Sequence, residues 1–446
     1  MGVRVSPPTP VLFFIYYAYM KFPRPSIKVF NNGLTVLVVP WAQSPSVKVS
    51  ILVRAGTAYE DKKTNGISHF LEHMCFKGTQ KRPRPIDISS AFDVLGASYN
   101  AFTGRDLTGY WGKVSVNHFD DILDLLSDMY LNPSFSPTEL EKERGVIIEE
   151  INMYEDDPRA KVSQVLEKTM YGDQHAGWDV AGEKHIIKKI TKNDFVSYRS
   201  KHYHANKTLV VVSGGISYER ALKKVSHYFS NIFHSSSRAS YAPIVNKQTK
   251  PLCTTINKKL DQTHFVAGIK AFPVASPKRR ILSMLSGVLG GGLSSRLFQR
   301  IREEMGAAYY IGSSPTLYKT HGYFEIYGGI NHQKIQPVLE AIMEECTKIA
   351  RDGVTDEELS RVKEHAIGTF LLSLETPSDM GSFYSSQVIL GEKMKTPQRI
   401  IDEIKKVSSS SIKRLARELF VEKRTSLAII GPHKNSEAFL RLIRFH

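Results

Sequence analysis

The sequence predicts an α+β protein of two homologous domains, each a sheet covered by helices. Three observations predict it. An internal repeat aligns residues 190–214 (ITKNDFVSYRSKHYHANKTLVVVSG) with residues 407–431 (VSSSSIKRLARELFVEKRTSLAIIG) at an offset of 217. A polar, serine-rich run at 234–250 separates the two copies. Short strand-like runs also alternate with long amphipathic helices on both sides of that run.

The repeat pairs Phe195, Tyr198, Tyr203, Val210, Val212 and Gly214 with Ile412, Leu415, Phe420, Leu427, Ile429 and Gly431. Each copy reads as an amphipathic helix, then a buried strand stopped by glycine. Solenoid repeats recur every ~20–50 residues, so a period this long means duplicated domains. The serine-rich run reads as a linker at 233–250, dividing a 25–232 domain from a 251–446 domain, with 1–24 as an N-terminal extension. Strand-like runs include 47–53 (VKVSILV) and 324–327 (FEIY, stopped by Gly328), and 119–130 reads as a long amphipathic helix. A chain of 446 residues accommodates two such domains.

Apolar residues at 41%, charged at 23% and aromatic at 10% exclude wholesale disorder and a multi-span membrane protein. The net charge of +16, from 60 Lys and Arg against 44 Asp and Glu, is dispersed and carries no aromatic-interleaved basic stripe. It reads as a solvated surface, and no nucleic-acid partner is expected. Cys75, Cys253 and Cys346 are odd in number and far apart, which describes no disulfide framework and favours a reducing compartment, the cytoplasm. The apolar run at 11–20 (VLFFIYYAYM) falls short of the ~20 residues that span a bilayer, so no stable membrane insertion is expected. Export through residues 1–20 is the alternative, although Lys21-Phe22-Pro23-Arg24-Pro25 stands where a small-residue cleavage site belongs; a start at Met20 is another.

The chemistry sits in residues 66–78 (GISHFLEHMCFKG). Ile67, Phe70, Leu71 and Met74 form the apolar stripe of a helix facing a core. His69, Glu72, His73 and Phe76 form the opposite stripe, which puts two imidazoles one turn apart with a carboxylate between them. Two metal ligands and a general base need that arrangement, and a His-x-x-Glu-His rarely arises by chance. Zinc in a peptidase takes three protein ligands and leaves one position for water, so a third ligand must come from elsewhere. Ser136-Pro137-Thr138-Glu139 is a capping box with proline at the first helical position, and Asp156-Asp157-Pro158 stops the helix it starts. On that helix Glu143 and Glu150 share a face, while Glu149 points about 100° away.

His69-Phe70-Leu71-Glu72-His73, followed 77 residues later by Glu150, resembles the inverted-zinc-motif, pitrilysin-type metallopeptidases, the family of insulin-degrading enzyme and mitochondrial processing peptidase. The resemblance extends to Asn31-Asn32-Gly33-Leu34, Asn100-Ala101-Phe102-Thr103, Glu143-Arg144-Gly145-Val146 and residues 290–309 (GGGLSSRLFQRIREEMGAAY). It implies mostly antiparallel sheets in a half-clamshell, and one Zn²⁺ per chain held by His69, His73 and Glu150. Glu72 would be the general base and Glu143 would orient a ligand. Arg302 and Tyr309, seven apart, would reach the substrate and its oxyanion, on one face of a helix if the helix runs that far. Asn100, Ala101, Phe102 and Thr103 would form an edge strand that pairs with the substrate backbone.

The second domain has no His-x-x-Glu-His where its copy of the zinc helix belongs, between about 281 and 289, so one half is catalytic and the other a chamber wall. Gly290-Gly291-Gly292 lacks the Gly-Lys-Ser/Thr of a phosphate loop. The expected activity is a zinc endopeptidase acting on unfolded peptides or small polypeptides enclosed in a chamber that a homodimer, or a heterodimer with a homologous chain, completes. The positive charge argues against a preference for strongly basic peptides. The alternative is a non-catalytic subunit of a peptidase-like heterodimer.

Overall fold

In the computed structural model, residues 22–235 and 242–445 are described. The apolar run at 11–20 and the middle of the linker lie outside them. Among the described residues no helix is long and apolar enough to cross a membrane.

Strands β1 (Ser26–Val29), β2 (Thr35–Pro40), β3 (Ser46–Val53), β4 (Ser98–Thr103), β5 (Thr108–Ser115) and β6 (Thr208–Gly214) form one sheet in the order β1-β2-β6-β3-β5-β4. Strands β7 (Leu252–Asn257), β8 (Thr263–Lys270), β9 (Ala308–Leu317), β10 (Gly322–Ile330) and β11 (Thr425–Gly431) form another in the order β7-β11-β8-β10-β9. Among the described residues only β2–β6 and β7–β11 pair in parallel, and every other ladder is antiparallel. The second order therefore repeats the first strand for strand, with β1 added at one edge. The expected mostly antiparallel α+β fold is present. The 217-residue offset carries β6 onto β11, and the Lys192–His202 helix onto Ser409–Leu419, residue for residue. Both strands are buried along their whole length because each runs inside its sheet under helices on both faces, hence the continuous apolar runs VVV and LAII.

Each sheet buries one face under helices of its own half. On the first, Val36, Val38, Val49, Ile51, Val210 and Val212 meet Phe70, Leu71 and Met74 of the Ile67–Met74 helix and Phe119, Ile122 and Leu126 of the Phe119–Leu131 helix. The other faces are covered by exchange. The Pro158–Tyr171 helix, which precedes the linker, lays Val162, Val165, Leu166 and Met170 on Val266, Ala428 and Ile430 of the second sheet. Reciprocally, Met380, Tyr384 and Ile389 of the Pro377–Ile389 helix cover Leu37, Val39, Leu209 and Val211 of the first. Arg54 at the end of β3 caps that incoming helix, donating to the carbonyls of Ile389 at 2.7 Å and Val388 at 3.2 Å. A cut at residues 233–250 would therefore strip one face from each sheet.

The exchange positions the site. The Pro137–Asp156 helix belongs to the first half and ends at Asp157, whose side chain caps the next helix by accepting from Arg159 N at 2.9 Å, with Pro158 at its first position. One corner thus joins a helix of the first half to a helix seated on the second.

Candidate metal centre

The Ile67–Met74 helix opens at Gly66, whose φ of +94° lies in the left-handed region, and a Cβ there would meet Ala181 O at 2.7 Å. Buried Glu60 serves its N-terminus: its carboxylate accepts from Gly66 N and Ser68 N, both at 2.8 Å, and from Asn65 Nδ2 at 2.9 Å. These bonds satisfy donors that a helix start leaves orphaned and place negative charge at the positive end of the dipole. Ile67, Phe70, Leu71 and Met74 are buried in the core, so the stripe carrying His69, Glu72 and His73 faces away from it.

The Pro137–Asp156 helix buries Leu140, Glu143, Ile147 and Ile151, and this face turns Glu143 and Glu150 toward the histidines. Glu149 points elsewhere, is exposed and accepts from Asn152. His69 Nε2 and His73 Nε2 lie 3.2 Å apart, and Glu150 Oε2 is 3.6 Å from each. Among the described residues this is the one group of three His, Cys, Asp or Glu side chains able to hold a metal ion. Zinc bonds of about 2.0–2.1 Å at tetrahedral angles put ligand atoms about 3.3–3.4 Å apart, so the triangle has the dimensions a Zn²⁺ ion needs.

The surrounding groups fix these ligands. His73 Nδ1 bonds Glu143 Oε1 at 2.8 Å, which leaves Nε2 as its metal-facing atom, and Lys77 Nζ holds Glu143 Oε2 at 2.6 Å. Glu72 is 9% exposed, and its Oε2 accepts from Thr103 Oγ1 at 2.6 Å. Burial raises the pKa of Glu72, against the pull of Thr103 and His73, so this carboxylate is more basic than usual. Burial and the His73 charge lower His69 to about 4. At His73 burial also lowers the pKa, but the bond to Glu143 and the nearby carboxylates outweigh it, so it is raised. Acceptance of the first proton falls to His73.

Asn100, Ala101, Phe102 and Thr103 lie on β4, an edge strand that among the described residues pairs on one side only, with β5. Asn100 and Phe102 are exposed, whereas Thr103 turns in toward Glu72. Arg302 and Tyr309 do not share a helix face. Residues Phe298–Glu304 form a π-helix that ends before Gly306, which takes φ +53°, and Tyr309 follows on β9 with 74% exposure. The seven-residue spacing therefore spans a break, and neither residue bonds the metal cluster; Arg302 lies over the Phe298 ring at 4.9 Å. Tyr310 is the held neighbour: its hydroxyl bonds His264 Nδ1 at 2.9 Å and its ring lies 4.5 Å from the Arg159 guanidinium.

Sequence reasoning missed Glu60, Lys77 and the Thr103–Glu72 bond. Lys77 had a readable signal, lying four residues after His73 next to a helix rich in glutamate. Glu60 had none beyond an acidic residue upstream of a helix that opens on glycine.

Two sheet-and-helix halves with an inverted zinc motif on a helix of the first define a class, the two-domain zinc-peptidase fold. The chain belongs to peptidase family M16: residues 35–184 match the insulinase (peptidase family M16) model and residues 189–365 the peptidase M16 inactive domain model. It is 35% identical over 406 residues to the uncharacterized zinc protease YmxG of Bacillus subtilis, covering 91% of this chain and 98% of that one. It is 31% identical over 409 residues to an uncharacterized zinc protease of Rickettsia felis, covering 92% and 98%. In fold it matches the crystal structure of a protease from Helicobacter pylori with a TM-score of 0.86 at 22% identity, over 92% of this chain and all of that one. A peptidase M16 inactive domain structure from Pseudomonas fluorescens matches at 0.85 and 18% identity, over 92% and 99%.

Proposed function

We propose that the protein is a zinc-dependent endopeptidase that hydrolyses unfolded peptides, with one Zn²⁺ per chain held by His69, His73 and Glu150. The observation that carries this reading is the convergence of those three ligand atoms beside the buried Glu72 carboxylate. When bound, zinc supplies Lewis-acid polarisation of the scissile carbonyl and of water. Glu72 accepts the water's proton and returns it to the leaving amine, a task its raised pKa suits. Thr103 holds one Glu72 oxygen, leaving the other to receive the proton. Glu143 keeps His73 in the tautomer that presents Nε2.

The free edge of β4 at Asn100, Ala101 and Phe102 binds substrate as an added strand, so main-chain bonds give affinity across varied sequences. Arg302 and Tyr309 of the second half act on the substrate and its developing oxyanion, and the exposure of Tyr309 supports this role. A homodimer closes the chamber. The complete His69, Glu72, His73 and Glu150 set favours this reading over a scaffold subunit, which needs no metal.

The test is incubation with a mixture of unfolded peptides, with and without chelator, reading the products by mass. Internal cleavage that chelator abolishes and zinc restores is expected. Cleavage indifferent to chelator, or absent in the zinc-loaded protein, would reject the proposal.

A further inference from the structure

We infer that Arg105 and Glu167 form a positioning pair that holds Thr103, and through it Glu72, in register with the metal-ligand helix and the second half. This rests on the peptidase reading above. Thr103 is the last residue of β4, and its hydroxyl bonds Glu72 at 2.6 Å. The next four residues, 104–107, turn the chain into β5. Their anchor is Arg105, only 4% exposed. Its guanidinium ion-pairs with Glu167, donates to the His175 carbonyl at 2.7 Å and lies 5.6 Å from the centre of the Tyr318 ring. The Arg105 carbonyl in turn accepts from Ala58 N at 2.9 Å.

Glu167 lies on the Pro158–Tyr171 helix, one corner beyond the helix that carries Glu143 and Glu150. Its second oxygen accepts from two tyrosines of the second half, Tyr323 at 3.0 Å and Tyr318 at 3.2 Å. The adjoining loop residue, Asp106, accepts from Lys319 N at 2.9 Å. One largely buried pair thereby ties the hairpin that carries Thr103 to the Pro158–Tyr171 helix, which follows the ligand helix, on one side and to the β9–β10 hairpin on the other.

A pair of apolar side chains would hold this joint as well or better, because burying two charges costs about as much as their attraction returns. What an ion pair with fixed hydrogen bonds adds is direction. Here it dictates where the loop after Thr103 lies, and hence where the Thr103 hydroxyl meets Glu72. Displacing a catalytic group by about 1 Å through a distant change can cost ~10²-fold in rate.

The test is Arg105→Met/Glu167→Met in the full-length zinc-loaded protein. The double replacement avoids the lone buried charge that either single one would leave. The expected result is wild-type zinc content and thermal unfolding, KM within about twofold, and kcat lower by about 10- to 100-fold. Thr103→Val should lower kcat similarly, and the triple variant should fall no further than the double, because all three act through one hydrogen bond. A wild-type kcat in the double variant, or multiplying losses in the triple, would overturn the inference. If the double variant yields no folded protein, Tyr323→Phe replaces it: one lost bond to Glu167 should lower kcat severalfold at constant KM, and an unchanged kcat overturns the inference. Absence of chelator-sensitive cleavage by the wild type is a different result, and it removes the peptidase reading together with this one.

Discussion

Replacing Glu143 with Gln tests how the metal centre is held. The residue is 4% exposed and divides its oxygens between His73 Nδ1 at 2.8 Å and Lys77 Nζ at 2.6 Å. Glutamine preserves the shape but removes the charge. Its amide can still accept from His73, yet it then turns an NH₂ group toward the Lys77 ammonium. A hydrogen bond to a charged group contributes about 1.5–3 kcal/mol net, which corresponds to about 10- to 150-fold in an equilibrium constant. Groups that orient metal ligands elsewhere are worth about 10- to 100-fold in metal affinity. Zinc affinity should therefore fall by about 10- to 100-fold, measured by competition against a chromogenic chelator at pH 7.5. Lys77→Met should act in the same direction and less strongly, because Glu143 keeps its bond to His73. Glu141→Gln on the same helix, an exposed partner of Arg144, is the control and should leave affinity unchanged. A Glu143→Gln affinity within twofold of wild type would refute the role given to Glu143.

The other predictions concern acid stability, the exchanged helix and the second half. Burial and then the neighbouring Lys207 and Lys201 charges lower His202 to about 3. An unfolded chain takes up that proton near pH 6.5 and the folded one does not, so His202 costs stability as pH falls from about 6.5 toward 3, by up to ~1.4 kcal/mol per pH unit. Denaturant unfolding of His202→Gln between pH 6 and 4 should show a shallower loss than wild type, and an equal slope would contradict the assignment. Leu166, wholly buried where the exchanged helix meets the second sheet, should cost about 2–5 kcal/mol when cut to Ala, with zinc content retained; a negligible cost would mean that the helix does not hold the halves together. Tyr309→Phe should lower turnover by about 10²- to 10³-fold with zinc content intact. If instead Tyr310→Phe is the damaging change, the oxyanion role moves to the tyrosine that His264 holds.

What was legible in the sequence was local. The helix, strand and glycine of the 217-residue repeat lie next to one another in the chain, so their pattern survives folding unchanged and maps β6 onto β11. His69, Glu72 and His73 share one helical face, and the Glu143–Glu150 spacing needs only helical periodicity to bring both toward that face. The exchange of the Pro158–Tyr171 and Pro377–Ile389 helices was not legible, because an apolar stripe says that a face is buried and not which sheet buries it. Glu60, Arg105 and Glu167 escaped for the same reason: a buried charge finds its partner through tertiary structure, and in sequence it resembles any surface residue. The Arg302–Tyr309 spacing puts both on one helix face only if the helix runs that far, and Gly306 ends it first.

The most direct measurement of the central claim is zinc content and peptide cleavage measured together for wild type and Glu72→Gln. About one zinc ion per chain is expected in both proteins, because Glu72 is no ligand. The variant's cleavage rate should fall by about 10²- to 10⁴-fold or more, because an amide cannot accept the water's proton. Wild-type cleavage by Glu72→Gln, or a wild-type protein that cleaves with no zinc bound, would contradict the zinc-peptidase reading.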